Sequence, residues 1–336
     1  MVFPDPELET FVFKTAPQLD AAWLAHEEEA KKKGPPRVFS SIEERQPIYA
    51  QECRDLYAQV TAPGTRDHEL SQGVTKKEFT IPSSVDGHPI PILQLDLTGA
   101  EAEEPEIIVI FYHGGGLRVG EADSEELSCR HIVKSRIARI RLYSVGYRLL
   151  PQNPATVCLS DSLDGFHKFH NPKIRTIVIG SSSGGQMASA VAQAAPQGAI
   201  HGLLLRCPVT ADRASGEEYV PEKLRPYHTS VSETFITSLG GYLHRNTPRD
   251  GLEKLPLEVS EDELKGQPRT WIQLTSNDPL YSDGLCYAMI LREAGIDVKV
   301  QVEVGWPHTF WLKAPHLDHA LTCEKHMLDG LRWLLK

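Results

Sequence analysis

The apolar run Ile174-Arg175-Thr176-Ile177-Val178-Ile179-Gly180 is followed at once by Ser181-Ser182-Ser183-Gly184-Gly185, and then by an Ala-rich segment beginning at Gln186. A β-branched run, a small-residue break and a helix-forming segment read as strand, sharp turn and helix, with Gly180-x-Ser182-x-Gly184 spanning the turn. Such a turn strains its central residue, so its neighbours must be small enough for strand and helix to approach. It would expose the Ser182 hydroxyl at the carboxyl edge of a sheet, beside the N-terminal amides of the next helix. The same residues alone would also suit a plain Gly/Ser loop. The remaining elements decide between the two.

Their order is that of an α/β protein. Lys77–Pro82 and Ile90–Asp96 read as a strand pair around the Asp86-Gly87 turn, at a sheet edge because of their prolines. Ile107–Tyr112 is continuously apolar, as a strand covered on both faces would be. Helix patterns at 124–135, from Asn153 to His170 and at 185–195 then alternate with strands at 137–145, 174–180 and 202–207. This predicts a mostly parallel central sheet flanked by helices. Residues 1–72 are expected to be a helical peripheral segment, with a break at Pro47. Residues 73–208 would form the first part of the core, and 209–267 break the rhythm as an inserted cap carrying Tyr219, Tyr227 and Tyr242 and a helix candidate at 232–239. Residues 268–336 resume the core. Phe11, Phe13, Trp23 and Leu24 of the first segment need a partner surface; covering the sheet and roofing a site are both open.

Charge and cysteine content narrow the function classes. A net charge of −10 with scattered Lys and Arg argues against a nucleic-acid partner. The six cysteines form no CxxC pair in a chain of 336 residues, which points to reduced thiols and a cytoplasmic protein. Residues 1–7 have neither the basic start nor the apolar core of a secretion signal, and no apolar run approaches the roughly 20 residues of a membrane span.

Three strand ends carry candidate chemistry. Ser182, Asp278 and His308 each follow a strand pattern, where open α/β sheets present reactive groups. His308 would take the Ser182 proton as the serine attacks a carbonyl carbon, and Asp278 would hold the imidazole in the needed tautomer. Asp283 competes for the acid role, but at a helix start it has a simpler use as a cap. His113-Gly114-Gly115-Gly116 follows the buried strand at 107–112 and could converge amides on one point, as an anion-binding loop does. His113 is read as an anchor for that loop. Main-chain amides of the glycine loop and of Ser183 would be the oxyanion donors. His167 with His170, and His316 with His319, share helix faces without further ligands and are not read as metal sites.

These segments resemble the hormone-sensitive-lipase-type branch of the α/β-hydrolases, whose members carry HGGG and a G-[DE]-S-A-G-G turn. The resemblance covers about residues 75–336 through His113–Leu117, Tyr147-Arg148-Leu149, Gly180–Gly185, Asp278-Pro279-Leu280 with Asp283-Gly284, and His308-Thr309-Phe310. It implies serine-dependent hydrolysis of an ester without a cofactor, under a cap, with Gly115, Gly116 and Ser183 as oxyanion donors. Ser181 stands where the pattern has an acid, Ser183 where it has alanine and Gly146 where it has aspartate, and Leu150-Pro151-Gln152 replaces Ala-Pro-Glu. The expectation is a carboxylesterase acting on a hydrophobic small-molecule ester or thioester, with a homodimer left open. Two alternatives stand beside it: a secondary-metabolism tailoring enzyme doing elimination, lactone chemistry or polyketide product release, and a non-catalytic hydrolase-like ligand-binding protein.

Overall fold

The computed structural model describes residues 5–35, 37–213, 216–235, 249 and 251–336. Its eight strands are β1 (Val74–Pro82), β2 (Pro89–Leu97), β3 (Ile107–Tyr112), β4 (Ile140–Val145), β5 (Arg175–Ser181), β6 (Gly202–Arg206), β7 (Thr270–Asn277) and β8 (Val298–Pro307). They form one sheet in the order β1-β2-β4-β3-β5-β6-β7-β8. Only the pairings β1–β2 and β2–β4 are antiparallel; from β4 to β8 all are parallel. The α/β class with a mostly parallel sheet is therefore as the strand patterns predict.

The helices are α1 (Pro6–Glu9), α2 (Ala21–Lys32), α3 (Ile42–Val60), α4 (Glu126–Lys134), α5 (Ala155–Phe169), α6 (Ser183–Ala194), α7 (Glu261–Leu264), α8 (Tyr281–Glu293), α9 (Phe310–Lys313) and α10 (Asp318–Leu334). Strand alternation feeds both faces of the sheet. Ile108, Ile110 and Tyr112 of β3 join the core beneath α5, α6 and α8, while Ile107, Val109 and Phe111 join the core beneath α4 and α10. With both faces covered, β3 has no polar side. A third cluster, Trp23, Trp306, Phe310 and Trp311 with Cys207, packs α2 against the chain beyond β8.

The sequence reading needs one correction here: α3 runs unbroken through Pro47. Proline removes the N–H that would bond to the carbonyl of Glu43 and crowds that carbonyl with its ring, but Glu43 is exposed near the helix start, where its carbonyl can tilt outward to water. Ser41 caps the helix by accepting the Glu44 amide at 3.2 Å. In the expected insertion, Glu217–Tyr219, Glu222–Tyr227 and Glu233–Phe235 are single turns of 3₁₀ helix. Tyr242 and most of the helix expected at 232–239 lie outside the described residues.

The chain before α2 crosses the carboxyl edge of the sheet. Asn277 at the end of β7 donates to the Pro17 carbonyl at 2.6 Å, and the Asp20 amide donates to the Gly305 carbonyl at 2.9 Å. Tyr281 donates to the Phe11 carbonyl at 2.6 Å, and Thr229 to that of Phe13 at 2.5 Å. These bonds fasten residues 11–20 beside the loops that carry Asp278 and His308.

Candidate active site

Ser182 occupies the single residue between β5 and α6, with φ 54° and ψ −120°. Its amide donates to the Arg206 carbonyl at 2.8 Å, and its own carbonyl accepts from Val209 at 3.1 Å. These bonds to the end of β6 hold a backbone conformation that a serine does not adopt freely. Small neighbours make the turn feasible: a Cβ on Gly184 would fall 2.1 Å from the Tyr112 carbonyl oxygen, so β3 and the first turn of α6 meet only because that residue is glycine.

Two loops bring the other candidates to it. His308 Nε2 lies 2.9 Å from Ser182 Oγ, and His308 Nδ1 lies 2.6 Å from Asp278 Oδ2. An ionised carboxylate only accepts, so the partners assign the proton to Nδ1 and leave Nε2 to accept from the serine hydroxyl. Asp278 is fully buried and is held by the Leu280 amide at 2.8 Å on Oδ1 and by Thr275 Oγ1 at 3.2 Å on Oδ2. Asp283 is elsewhere. Its Oδ2 accepts the amides of Thr210 and Ala211, and its Oδ1 meets His228 Nε2 at 3.0 Å.

The glycine loop closes the other side. Gly115 and Gly116 have φ of 121° and 67°, and a Cβ on Gly115 would lie 2.0 Å from the Val119 carbonyl oxygen. His113 is fully buried, stacks on Tyr147 at 4.4 Å between ring centres, and lies 2.7 Å from the Gly114 carbonyl through Nδ1. The Tyr147 hydroxyl donates to the His113 carbonyl at 2.5 Å. Burial pushes the His113 imidazole down to about 4, so it is neutral at ordinary pH and its contacts fasten the loop. Ser183 is buried, and its hydroxyl accepts the Leu117 amide at 3.1 Å, tying the loop to the first turn of α6.

Several partners have no plain sequence signal. Glu125 bonds both to Gly114 and to Ser181. Lys313, in the turn after His308, donates to the His308 carbonyl at 2.7 Å, and burial pushes its amine down to about 8. Arg206 is fully buried where β6 ends, with Glu324 at 3.1 Å and Gln273 at 2.8 Å, its guanidinium 4.0 Å above the Trp311 ring. The arginine closing an otherwise apolar strand was the one visible hint of that network.

Among the described residues, one group could offer three metal-ligand atoms within 4.8 Å of one another: Cys207, Asp278 and His308. Asp278 and His308 already bond to each other, and burial pushes the Cys207 thiol well up, so it keeps its proton. The donor set fits the hydrogen-bond chain better than a cation. Of the histidines not read as ligands, His319 bonds Glu303 at 3.0 Å and His316 lies beside the His26 ring at 5.3 Å. A groove of about 1020 Å³ between α3, the β1–β2 pair and residues 146–153 contains neither Ser182 nor His308. Its arginines are engaged, Arg54 with Asp123 and Arg148 with Asp161.

Comparison with known proteins agrees with this geometry. A family profile described as alpha/beta hydrolase fold matches residues 109–312, well over half of the chain. A versiconal hemiacetal acetate esterase of Dothistroma septosporum is 28% identical over 243 residues, 66% of this chain and 72% of that protein. An AB hydrolase superfamily protein of Schizosaccharomyces pombe is 26% identical over 301 residues, covering 85% of each. Among solved structures, vibralactone cyclase superposes with a TM-score of 0.77 at 18% identity, over 99% of this chain and 97% of that one, a likeness of fold. With a matching profile, an eight-stranded sheet of this topology and these relatives, the chain belongs to the α/β-hydrolase-fold family, in its hormone-sensitive-lipase-type branch, and is a carboxylesterase-type enzyme.

Proposed function

We propose that the protein hydrolyses a hydrophobic small-molecule carboxylic ester through an acyl-enzyme on Ser182. The observation that carries this reading is the unbroken hydrogen-bond chain from Ser182 Oγ to His308 at 2.9 Å and from His308 to Asp278 at 2.6 Å. As Ser182 Oγ attacks the ester carbonyl carbon, His308 Nε2 takes its proton. The carbonyl oxygen becomes an oxyanion and meets the amides of Gly115, Gly116 and Ser183. Collapse breaks the acyl–oxygen bond, and His308 returns the proton to the departing alkoxide. Water then repeats the sequence on the acyl-enzyme. Asp278 holds the Nδ1–H tautomer throughout and stabilises the imidazolium.

The described residues of the segments 1–72 and 209–267 would form the cap over this site. The relative named for a hemiacetal acetate makes short acyl groups the first to try. A p-nitrophenyl phosphonate tests the mechanism, because its phosphorus oxygens mimic the tetrahedral intermediate. Peptide mass spectrometry is expected to find one adduct, on Ser182, with esterase activity lost in proportion. No adduct, or an adduct at another residue, would favour the ligand-binding alternative.

A further inference from the structure

A buried carboxylate outside the Ser182–His308–Asp278 chain joins the two loops on either side of the serine. Glu125, the residue before α4, is 3% exposed. Its Oε1 accepts the Gly114 amide at 2.7 Å, and its Oε2 accepts the Ser181 hydroxyl at 2.8 Å. Gly114 opens the glycine loop and Ser181 immediately precedes the nucleophile. The loops touch at this point: a Cβ on Gly114 would lie 3.1 Å from the Ser181 carbonyl oxygen, and 3.3 Å from both Glu125 Oε1 and Ser182 Cβ. Among the described residues, Glu125 has no salt bridge to a basic side chain. A buried carboxylate without such a partner is a costly way to fill space, which points to a use for it.

We propose that Glu125 is a positioning residue of the acyl-transfer site: its carboxylate clasps the Gly114 amide to the Ser181 hydroxyl and so sets the oxyanion donors against Ser182 Oγ. The proposal rests on the serine-hydrolase reading above. An ionised carboxylate suits both bonds, since each oxygen accepts. In the neutral acid Oε1 must still accept, because an amide only donates, so the proton falls on Oε2 and the Ser181 hydroxyl has to reverse. The bond to Ser181 then persists only with donor and acceptor exchanged, and the Ser181 proton must find another acceptor beside Ser182.

Protonation falls within the working range. Burial pushes the Glu125 carboxyl up to about 7, against the lowering effect of Gly114, Ser181 and Arg206, while Glu324 adds to the rise. The other groups facing it are Tyr49 and Cys53 on α3, Cys129 on α4, and Tyr147. Burial pushes all four upward, so they stay uncharged near neutrality. Arg206 and Glu324 bond to each other, and the adjacent Glu126 is taken by Lys76 and Arg130. Two opposite trends follow. Turnover needs the carboxylate and rises with pH through about 7. Folding stability falls as pH rises from 4.5 to about 7, because the native carboxyl holds its proton more tightly than the unfolded one.

Glu125→Gln, Glu125→Asp and Ser182→Ala, assayed with a p-nitrophenyl ester across pH and checked by circular dichroism, test this. In Glu125→Gln the amide oxygen can still accept from Gly114 while the amine faces Ser181. The expected loss in kcat is about 10- to 100-fold, with KM changed by no more than about threefold. The advantage of the parent over Glu125→Gln in kcat/KM, about 10- to 100-fold above neutrality, should vanish as pH falls through about 7. Glu125→Asp should keep a pH-dependent advantage of the same kind. Normal kcat in folded Glu125→Gln overturns the clasp. So does a parent pH profile parallel to that of Glu125→Gln; if that variant does not fold, normal kcat in folded Ser181→Ala, which lacks the hydroxyl the clasp holds, overturns it as well. Turnover surviving in Ser182→Ala overturns the serine reading and the clasp with it; turnover lost there but unaltered in Glu125→Gln overturns the clasp alone.

Discussion

Asp278 and Asp283 stand on either side of the start of α8, both fully buried and both facing a buried histidine. At Asp278 the ring of His308 is held at 2.6 Å, and its far nitrogen reaches a serine hydroxyl at 2.9 Å. At Asp283 the ring of His228 lies at 3.0 Å, and its far nitrogen is buried with no hydrogen-bond partner among the described residues. The second oxygens differ as well. Asp283 spends its Oδ2 on the amides of Thr210 and Ala211, while Asp278 receives the Leu280 amide from its own loop. On the proposed reading, an Asp–His pair gains its chemistry only from a hydroxyl on the far ring nitrogen. Asp283 and His228 instead tie the chain after β6 and the segment around residue 228 to α8.

The largest expected effect breaks the comparison at the hydroxyl. Ser182→Ala should lower kcat on the order of 10⁶-fold in a folded protein, and His308→Gln should be comparably damaging. Turnover near the parent level in folded Ser182→Ala would reject the assignment. Next comes the pair of acids. Asp278→Asn should cost about 10⁴ in kcat, because the amide would stabilise the wrong tautomer of His308. Asp283→Asn should change kcat by less than about tenfold, yet lower stability by about 1–3 kcal/mol, since one of its bonds to buried partners must be lost or reversed. Parallel kinetics and thermal melts separate the two; equal losses of kcat would reverse the roles given to these carboxylates.

How far the sequence could be read follows the same division. Ser182, Asp278 and His308 were legible because each ends a strand pattern, and the sheet itself carries strand ends to a common edge. Asp283 was separable from Asp278 by its place inside a helix start. Glu125 was not legible. It falls at the start of the helix pattern at 124–135, where nothing in the sequence marks it out from Glu121, Asp123 and Glu126, yet it is buried with its carboxylate on Gly114 and Ser181. The available signal was indirect: Ser181 takes the place of an acid beside the candidate nucleophile, and a carboxylate reaches that hydroxyl from the residue before α4 instead. The continuity of α3 was missed because proline was weighed without regard to its nearness to the helix start. Residues 209–267 were recognisable as a break in rhythm, but irregular turns have no period to read.

The smallest effect concerns the aromatic side chains of the segment before α2. Phe13 is half-buried, its ring 5.4 Å from that of Tyr281, which in turn stacks near Phe235 at 6.3 Å. Both neighbours belong to the region that Asp283 and His228 organise, so the aromatic group joins the N-terminal segment to the expected insertion. The carbonyl of Phe13 accepts from Thr229 and that of Phe11 from Tyr281, which leaves the backbone path largely independent of the Phe13 side chain. Phe13→Ala should therefore keep the segment in place while removing its ring. If that ring faces the acyl chain, each methylene of a longer ester loses part of the ~1–3 kcal/mol it gains in an intact pocket. The ratio of kcat/KM for octanoyl over butyryl esters should then fall by about three- to tenfold, with kcat for the butyryl ester nearly unchanged. Unchanged ratios across acetyl, butyryl, hexanoyl and octanoyl esters, with only a lower melting temperature, would make Phe13 packing for α8, and selectivity would then be sought in residues 209–267.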